Sequence, residues 1–264
     1  IAELKKDKTE QSLEAKLIRL NGKKIASSNN FDSNTGQLKN EDVLILSEAQ
    51  ADELVKEIIT EKWIVNNIEE RPRTSNPKPP FTTSTLQQEA VRKLRSSAQQ
   101  TMRTAQQLYE NGFITYMRTD STNLSQEAIN GSRQIIQDLY GKEYLPDKPN
   151  SYATKVKNAQ EAHEAIRPAH QKFRTVSDVE KQLGDSAAKL YDLIWKRTIA
   201  SQMKSAKIKQ TTIIIQNQKS EFKATGQVIL FPGYMRVYVE GKDNPNKDLA
   251  DKESGADVVQ TSLT

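Results

Sequence analysis

The sequence predicts an α+β fold in which a strand-rich domain is interrupted by an inserted, mainly helical domain. Three observations carry this reading. Apolar residues alternate with period two toward both ends of the 264-residue chain, they recur with helical period from about 84 to 204, and a proline-rich stretch separates the first pattern from the second. One discontinuous strand-rich domain (1–75 and 206–264) split by a helical domain (76–205) explains that order more simply than three tandem domains.

SLEAKLIRL, residues 12–20, alternates as a strand. Asn21-Gly22, the strongest short hairpin signal, then turns the chain into a return strand from Lys23. VLIL at 43–46 is a further short strand. Ser47 with Gln50 forms a capping box that opens a helix, with Leu54, Val55, Ile58 and Ile59 on its apolar face. Trp63-Ile64-Val65 resumes extended structure and runs into RPRTSNPKPP. Four prolines within nine residues exclude both helix and central strand there, so a rigid linker and a domain boundary are expected.

Ser84 with Gln87 reads as a capping box. A stripe through Leu86, Ala90, Val91, Leu94, Met102, Ala105, Leu108 and Tyr109 then predicts one helical run that stops at Asn111-Gly112. Further helices are expected from Ser125 to Gly141, over EAHEAIR up to Pro168, from a cap at Ser177 with Glu180, and through Leu190, Ile194, Trp195 and Met203. TTIIIQ, FKATGQVILF, MRVYVEG and VVQTSL return to strand pattern.

Composition narrows the function classes. The net charge is +5 and mean hydropathy is −0.74. No run approaches the roughly 18–20 apolar residues of a membrane span, and IAELKKDKTEQ at the start has no signal-peptide apolar core. The absence of cysteine excludes disulfides, thiolate zinc sites and cysteine nucleophiles, and suits a reducing, cytoplasmic setting. A chain that starts at Ile1 and stops within a strand pattern reads as a piece of something larger.

The positive charge is unevenly spread. Between Arg71 and Arg118, eight basic residues stand against two acidic ones, and the rest of the chain is nearly balanced. Arg92, Lys93, Arg95 and Arg103, with Gln87 beside them, are the candidates for contacts with a nucleic-acid backbone. A second acid-free group comprises Lys196, Arg197, Lys204, Lys207 and Lys209. On charge alone an ordinary solvated helix face is an equally good reading.

Familiar catalytic motifs are mostly missing. No G-x-x-x-x-G-K-[ST] is present, so no P-loop ATP site is expected, and no Asp-x-Asp pair supports a self-contained two-metal nuclease. His163 and His170 are split by Pro168 and have no cysteine near them, which argues against zinc.

FITYMRTDST, residues 113–122, stands out. An apolar run leads into a phenol, a guanidinium, hydroxyls and a carboxylate. Tyr116 can attack a phosphodiester, although a phenol with a free pKa near 10 needs help at neutral pH. Arg118 can hold the non-bridging oxygens and, in an extended chain, projects to the same side. The residues alone leave a second reading open, in which Tyr116 is a core tyrosine and Arg118 caps a helix or pairs with Asp120.

ITYMRTDST, with PPFTTSTLQQEA at 79–90 and QEAHEAIRP at 160–168, resembles the bacterial type IA DNA topoisomerases. The resemblance covers nearly the whole chain. It implies a strand-rich, arch-like domain II interrupted by a helical domain III that bears the nucleophile. It also implies transient cleavage of one strand through a 5′-phosphotyrosine at Tyr116, strand passage and religation, which relaxes negatively supercoiled DNA without ATP.

By the same resemblance Arg118 positions the scissile phosphate, Thr115 lies in the active site, His163 contributes to DNA binding and the catalytic arrangement, and Arg167 is a weaker carry-over. Mg²⁺ is expected on the acidic residues of a Toprim domain that has no counterpart here, so no metal ligand is assigned to this chain. Much of domain IV is missing as well. The expected partners are single-stranded and negatively supercoiled DNA and the missing domains of the same protein, with no membrane and a monomeric state. Two rivals stand beside this reading. A tyrosine recombinase or type IB enzyme places its tyrosine downstream of an Arg…His-x-x-Arg set, unlike Tyr116. A non-catalytic single-strand-binding module is the alternative for the isolated chain.

Overall fold

The computed structural model describes residues 1–5, 12–39, 42–152 and 164–241. Strands β1 (Ala2–Lys5), β2 (Ser12–Leu20), β3 (Lys23–Ile25) and β4 (Val43–Leu44) precede helix α1 (Glu48–Ile58) and strand β5 (Ile64–Ser75). Helices α2 (Thr83–Leu94), α3 (Ala98–Glu110), α4 (Gln126–Tyr140), α5 (Val176–Leu183) and α6 (Asp185–Ser201) follow, and strands β6 (Ala206–Asn217) and β7 (Ser220–Phe231) come last. The fold is α+β. It divides into two compact units, Ile1–Arg73 with Ile208–Ile229, and Thr74–Lys207 with the segment that begins at Leu230.

The first unit is a sheet of order β4-β3-β2-β7-β6-β5, with β1 added on β2. Asn21 and Gly22 both take positive φ, 50° and 77°, as the tight turn between β2 and β3 requires. Antiparallel pairing sets Ala2 opposite Ala15 and Leu17 opposite Phe222. The Ser47–Gln50 capping box forms and starts α1, which buries Leu54 and Ile58 against Ala15, Ile215, Phe222 and Ala224. Each large apolar side chain buried this way contributes about 1.5–3 kcal/mol. Trp63 packs on Phe222 with ring centroids 4.7 Å apart. The expected linker starts late: β5 continues through Pro72 to Ser75. It is the outermost strand of the order, where proline is tolerated because alternate N–H groups point away from the ladder.

In the helical unit, Tyr191, Ile194 and Ile199 of α6 pack with Leu86, Leu108, Phe113, Ile114, Ile136 and Ile166. The sequence stripe from 84 to 110 is two helices rather than one. Arg95 adopts left-handed backbone (φ 53°), and Ser97 caps α3 by accepting from the Gln100 N–H. Two caps also move upstream: Thr82 with Thr85 starts α2 and Thr175 with Asp178 starts α5, in place of the Ser84 and Ser177 boxes.

The helix expected over EAHEAIR is corrected where it is described. Ile166 pairs with Phe81 and Pro168 with Ile114 as antiparallel bridges, because these backbones complete each other's hydrogen bonds in the core. Its first residues, with His163, lie outside the described residues. MRVYVEG is corrected too. Gly233–Arg236 is a 3₁₀ turn, and Tyr238 is buried with its hydroxyl donating to Glu89 at 2.7 Å. The segment from Leu230 therefore packs with the helical unit, although the sequence pattern assigns 206–264 to the strand-rich domain. VVQTSL lies outside the described residues.

Candidate active site

The end of α3 aims the chain at the site. Gly112 takes φ 71°, its N–H donates to the Tyr109 carbonyl, and the Phe113 N–H donates to the Leu108 carbonyl, both at 2.9 Å. This double closure turns the chain back along the helix it has just left. Phe113 and Ile114 then enter the core, and Phe113 meets the Tyr191 ring edge to face.

Thr115 ties the segment to 165–169. Its N–H donates to the Arg167 carbonyl at 2.9 Å, its hydroxyl donates to the Ala165 carbonyl at 2.7 Å, and the same oxygen accepts from the Arg167 N–H at 3.0 Å. Beyond it burial alternates. Met117, Thr119 and Ser121 face inward, whereas Tyr116, Arg118 and Asp120 face solvent. Strict alternation is the signature of extended chain, and it puts the phenol and the guanidinium on one side. Tyr116 is 47% exposed. The core-tyrosine reading fails on that exposure. Among the described residues Arg118 and Asp120 form no ion pair, so the pairing reading fails as well.

Two contributors are absent from the residues the sequence nominates. Thr83, in the first turn of α2, donates its hydroxyl to the Met117 carbonyl at 2.8 Å and accepts from the Thr119 N–H at 2.9 Å. Its own N–H donates to the Thr119 carbonyl at 2.9 Å. Tyr109 meets the Tyr116 ring edge to face. Thr83 lies within FTTST, part of the stretch that carries the family resemblance, so a signal for it is present. Tyr109 is masked by its place in the apolar stripe of α3.

Arg167 is buried and fully occupied. Its guanidinium donates to Glu164 at 2.7 Å, to the Pro168 carbonyl at 2.8 Å and to the Ser125 hydroxyl at 3.2 Å. Burial pushes the Glu164 carboxyl up, but hydrogen bonds from Arg167 and Ser125 outweigh it and hold the pKa below its ordinary value. Arg167 thus shapes the strand that Thr115 grips and has no donor turned to solvent.

The candidate backbone contacts divide. Lys93 sits 3.5 Å and Arg92 3.9 Å from the buried Glu89, and Lys93 also donates to the Val239 carbonyl and lies over the Tyr238 ring. Arg95 and Arg103 are exposed, and Gln87 is partly buried on α2. Three of the five residues in the second basic group are also paired. Arg197 is buried against Glu240 and the Pro79 carbonyl, Lys196 pairs with Asp192, and Lys209 with Glu70. Among the described residues no three His, Cys, Asp or Glu side chains come together to hold a metal ion.

The family model described as DNA topoisomerase matches residues 8–264. This chain belongs to the DNA topoisomerase family. Among its relatives, the DNA topoisomerase 1 of Synechococcus elongatus is 52% identical over 241 residues, which cover 91% of this chain and 27% of that protein. The Synechocystis protein of the same name is 51% identical over 253 residues, 96% of this chain and 28% of that protein. The chain thus spans about a quarter of the length of the curated topoisomerases it matches. The solved structure of full-length topoisomerase I from Thermotoga maritima aligns with a TM-score of 0.62 at 35% identity, covering 79% of this chain and 35% of that one. No helix among the described residues is long and apolar enough to cross a membrane.

Proposed function

We propose that this chain is the tyrosine-bearing part of a longer type IA DNA topoisomerase. Tyr116 Oη attacks a backbone phosphorus, an O–P bond forms to the 5′ side, and the bond to the 3′-oxygen breaks. The phenol gives up its proton and the departing 3′-oxygen takes one. Arg118 holds the non-bridging oxygens as charge builds in the in-line displacement. One phosphoester replaces another, so religation is the reverse step and relaxation of negatively supercoiled DNA needs no ATP. Thr115 orients the nucleophile's backbone, and Arg167 supports Thr115 rather than touching DNA.

The observation that carries this reading is the shared exposure of Tyr116 and Arg118 on one side of an extended segment. Exposed Arg95 and Arg103 are the remaining candidates for the backbone of the bound single strand, and His163 retains its proposed part in DNA binding. Mg²⁺ is proposed to be held by another domain of a monomeric, cytoplasmic enzyme. A second reading has its own support. Exposed Arg95 and Arg103 can hold a phosphate backbone without any chemistry at Tyr116, which suits a single-strand-binding module for the chain in isolation.

The deciding experiment incubates the full-length protein with single strands labelled at either end and sequences the covalent adduct. A 5′-linked adduct on Tyr116, absent from Tyr116→Phe, is expected. A 3′-linked adduct points to a recombinase-type enzyme, and no adduct leaves a binding module.

A further inference from the structure

We infer that Thr83 is a positioning residue for strand cleavage, acting on Tyr116 and Arg118 through the backbone between them. The inference rests on the proposed role of Tyr116. The segment Tyr116–Arg118 is bracketed by two threonines from different parts of the chain. Thr115 fixes its upstream end by three hydrogen bonds to 165–167. Thr83 fixes its downstream end by three more, to the Met117 carbonyl, the Thr119 N–H and the Thr119 carbonyl. Met117, the residue between nucleophile and arginine, is 2% exposed, so its side chain plugs the core while its carbonyl answers to Thr83.

The phenol is half exposed, and the Tyr109 ring touches it on one side only. Its position relative to Arg118 is set by the backbone, and the threonine hydroxyl is the only side-chain group on α2 that bonds that backbone among the described residues. A hydroxyl is needed because the position demands a donor to a carbonyl and an acceptor from an N–H at once. Valine fills the same volume but supplies neither. Misplacement of reacting groups by about 1 Å costs up to roughly 10²-fold in rate, so losing one anchor should appear in the cleavage step rather than in binding.

The test uses the full-length protein and follows single-turnover cleavage of a labelled strand at saturating DNA, alongside single-strand affinity and thermal unfolding. Thr83→Val is expected to slow cleavage by about 10–100-fold with affinity unchanged, and Thr83→Ser to restore most of the rate. Thr85→Val is the matched control. It removes a capping hydroxyl, which accepts from the Thr82 N–H at 2.9 Å in the same turn of α2, without touching 117–119. Cleavage by Thr83→Val at the wild-type rate overturns the inference. So does an equal loss in Thr85→Val, which would assign the effect to fraying of the helix. Should the wild type itself form no 5′ adduct, the reading of Tyr116 fails instead, and the two failures are distinguishable.

Discussion

Tyr109 and Tyr116 meet edge to face, with ring centroids 5.3 Å apart and planes at 66°. They lie seven residues apart in sequence, and the turn at Asn111-Gly112 folds one back on the other. A helix surface residue thereby restricts the swing of a solvent-facing phenol. Arrangements of this kind contribute about 0.5–1.5 kcal/mol beyond the area they bury.

Removing that ring should loosen Tyr116, the proposed nucleophile. Tyr109→Leu in the full-length protein is expected to lower the single-turnover cleavage rate by roughly 2–10-fold, the kinetic equivalent of that energy. Tyr109→Phe keeps the edge-to-face contact and should stay close to wild type. A leucine variant that cleaves at full speed would show that the pair is incidental.

Basic residues of the helical unit should separate into two behaviours. Arg95 and Arg103 are exposed, so alanine at either should weaken single-strand binding. The salt slope should fall by about 0.7 for each phosphate that is no longer neutralised. Lys93 belongs to the Glu89 cluster. Burial pulls its ammonium below the ordinary lysine range, and Glu89 offsets part of that. Lys93→Met leaves a buried carboxylate short of a partner, at a cost of about 1–3 kcal/mol. A lowered melting temperature with an unchanged salt slope is expected. The reverse pattern would place Lys93 on the DNA.

Those two behaviours illustrate what a sequence encodes locally and what it does not. Ser47–Gln50, Asn21-Gly22 and the Ser125-to-Gly141 helix are local chemistry, and each stands where its residues put it. The exposure of Tyr116 with Arg118 follows from the period-two geometry of an extended segment. Failures arise where distant partners decide. EAHEAIR has helical pattern, but Ile166 and Pro168 are claimed by Phe81 and Ile114. Lys93 resembles a phosphate ligand until Glu89 is known to be buried beside it. Tyr238 alternates like a strand residue, yet its hydroxyl is taken by the same Glu89. The break at Arg95 is legible in Ser96-Ser97, and the uninterrupted apolar stripe masks it.

Acid should act on the Glu164–Arg167 pair. The folded carboxyl lies below its ordinary 4.5, since hydrogen bonds from Arg167 and Ser125 favour the charged form against the cost of burial. A depressed folded pKa means the pair stabilises fully above the unfolded value and loses that contribution as pH falls through the folded value. Glu164→Gln cannot ionise and should cost about 1–2 kcal/mol near pH 7. The gap in melting temperature between the two proteins is expected to narrow as pH drops below about 4.5. A gap independent of pH would mean the carboxylate charge contributes nothing.

The last prediction concerns the 264-residue chain by itself, which holds the proposed nucleophile Tyr116 and the proposed phosphate ligand Arg118 but should form no covalent adduct with DNA. A neutral phenol is a weak nucleophile, so Tyr116 needs a group that takes its proton as it attacks. The departing 3′-oxygen must also gain a proton. Among the described residues no carboxylate or imidazole hydrogen-bonds the Tyr116 phenol; Glu164, which lies in the neighbouring strand, is committed to Arg167 and the Ser125 N–H. General acid–base assistance is worth roughly 10²–10⁴-fold, and a preorganised charge clamp can add as much again. In its proposed role Arg118 would supply only part of the second and nothing of the first. The measurement is a denaturing gel of the chain incubated with an end-labelled single strand, alone and with the remainder of its parent polypeptide added in trans. Adduct only in the mixture is expected. Adduct from the chain alone would mean that Tyr116 is activated from within these residues, and it would make His163 the first to test.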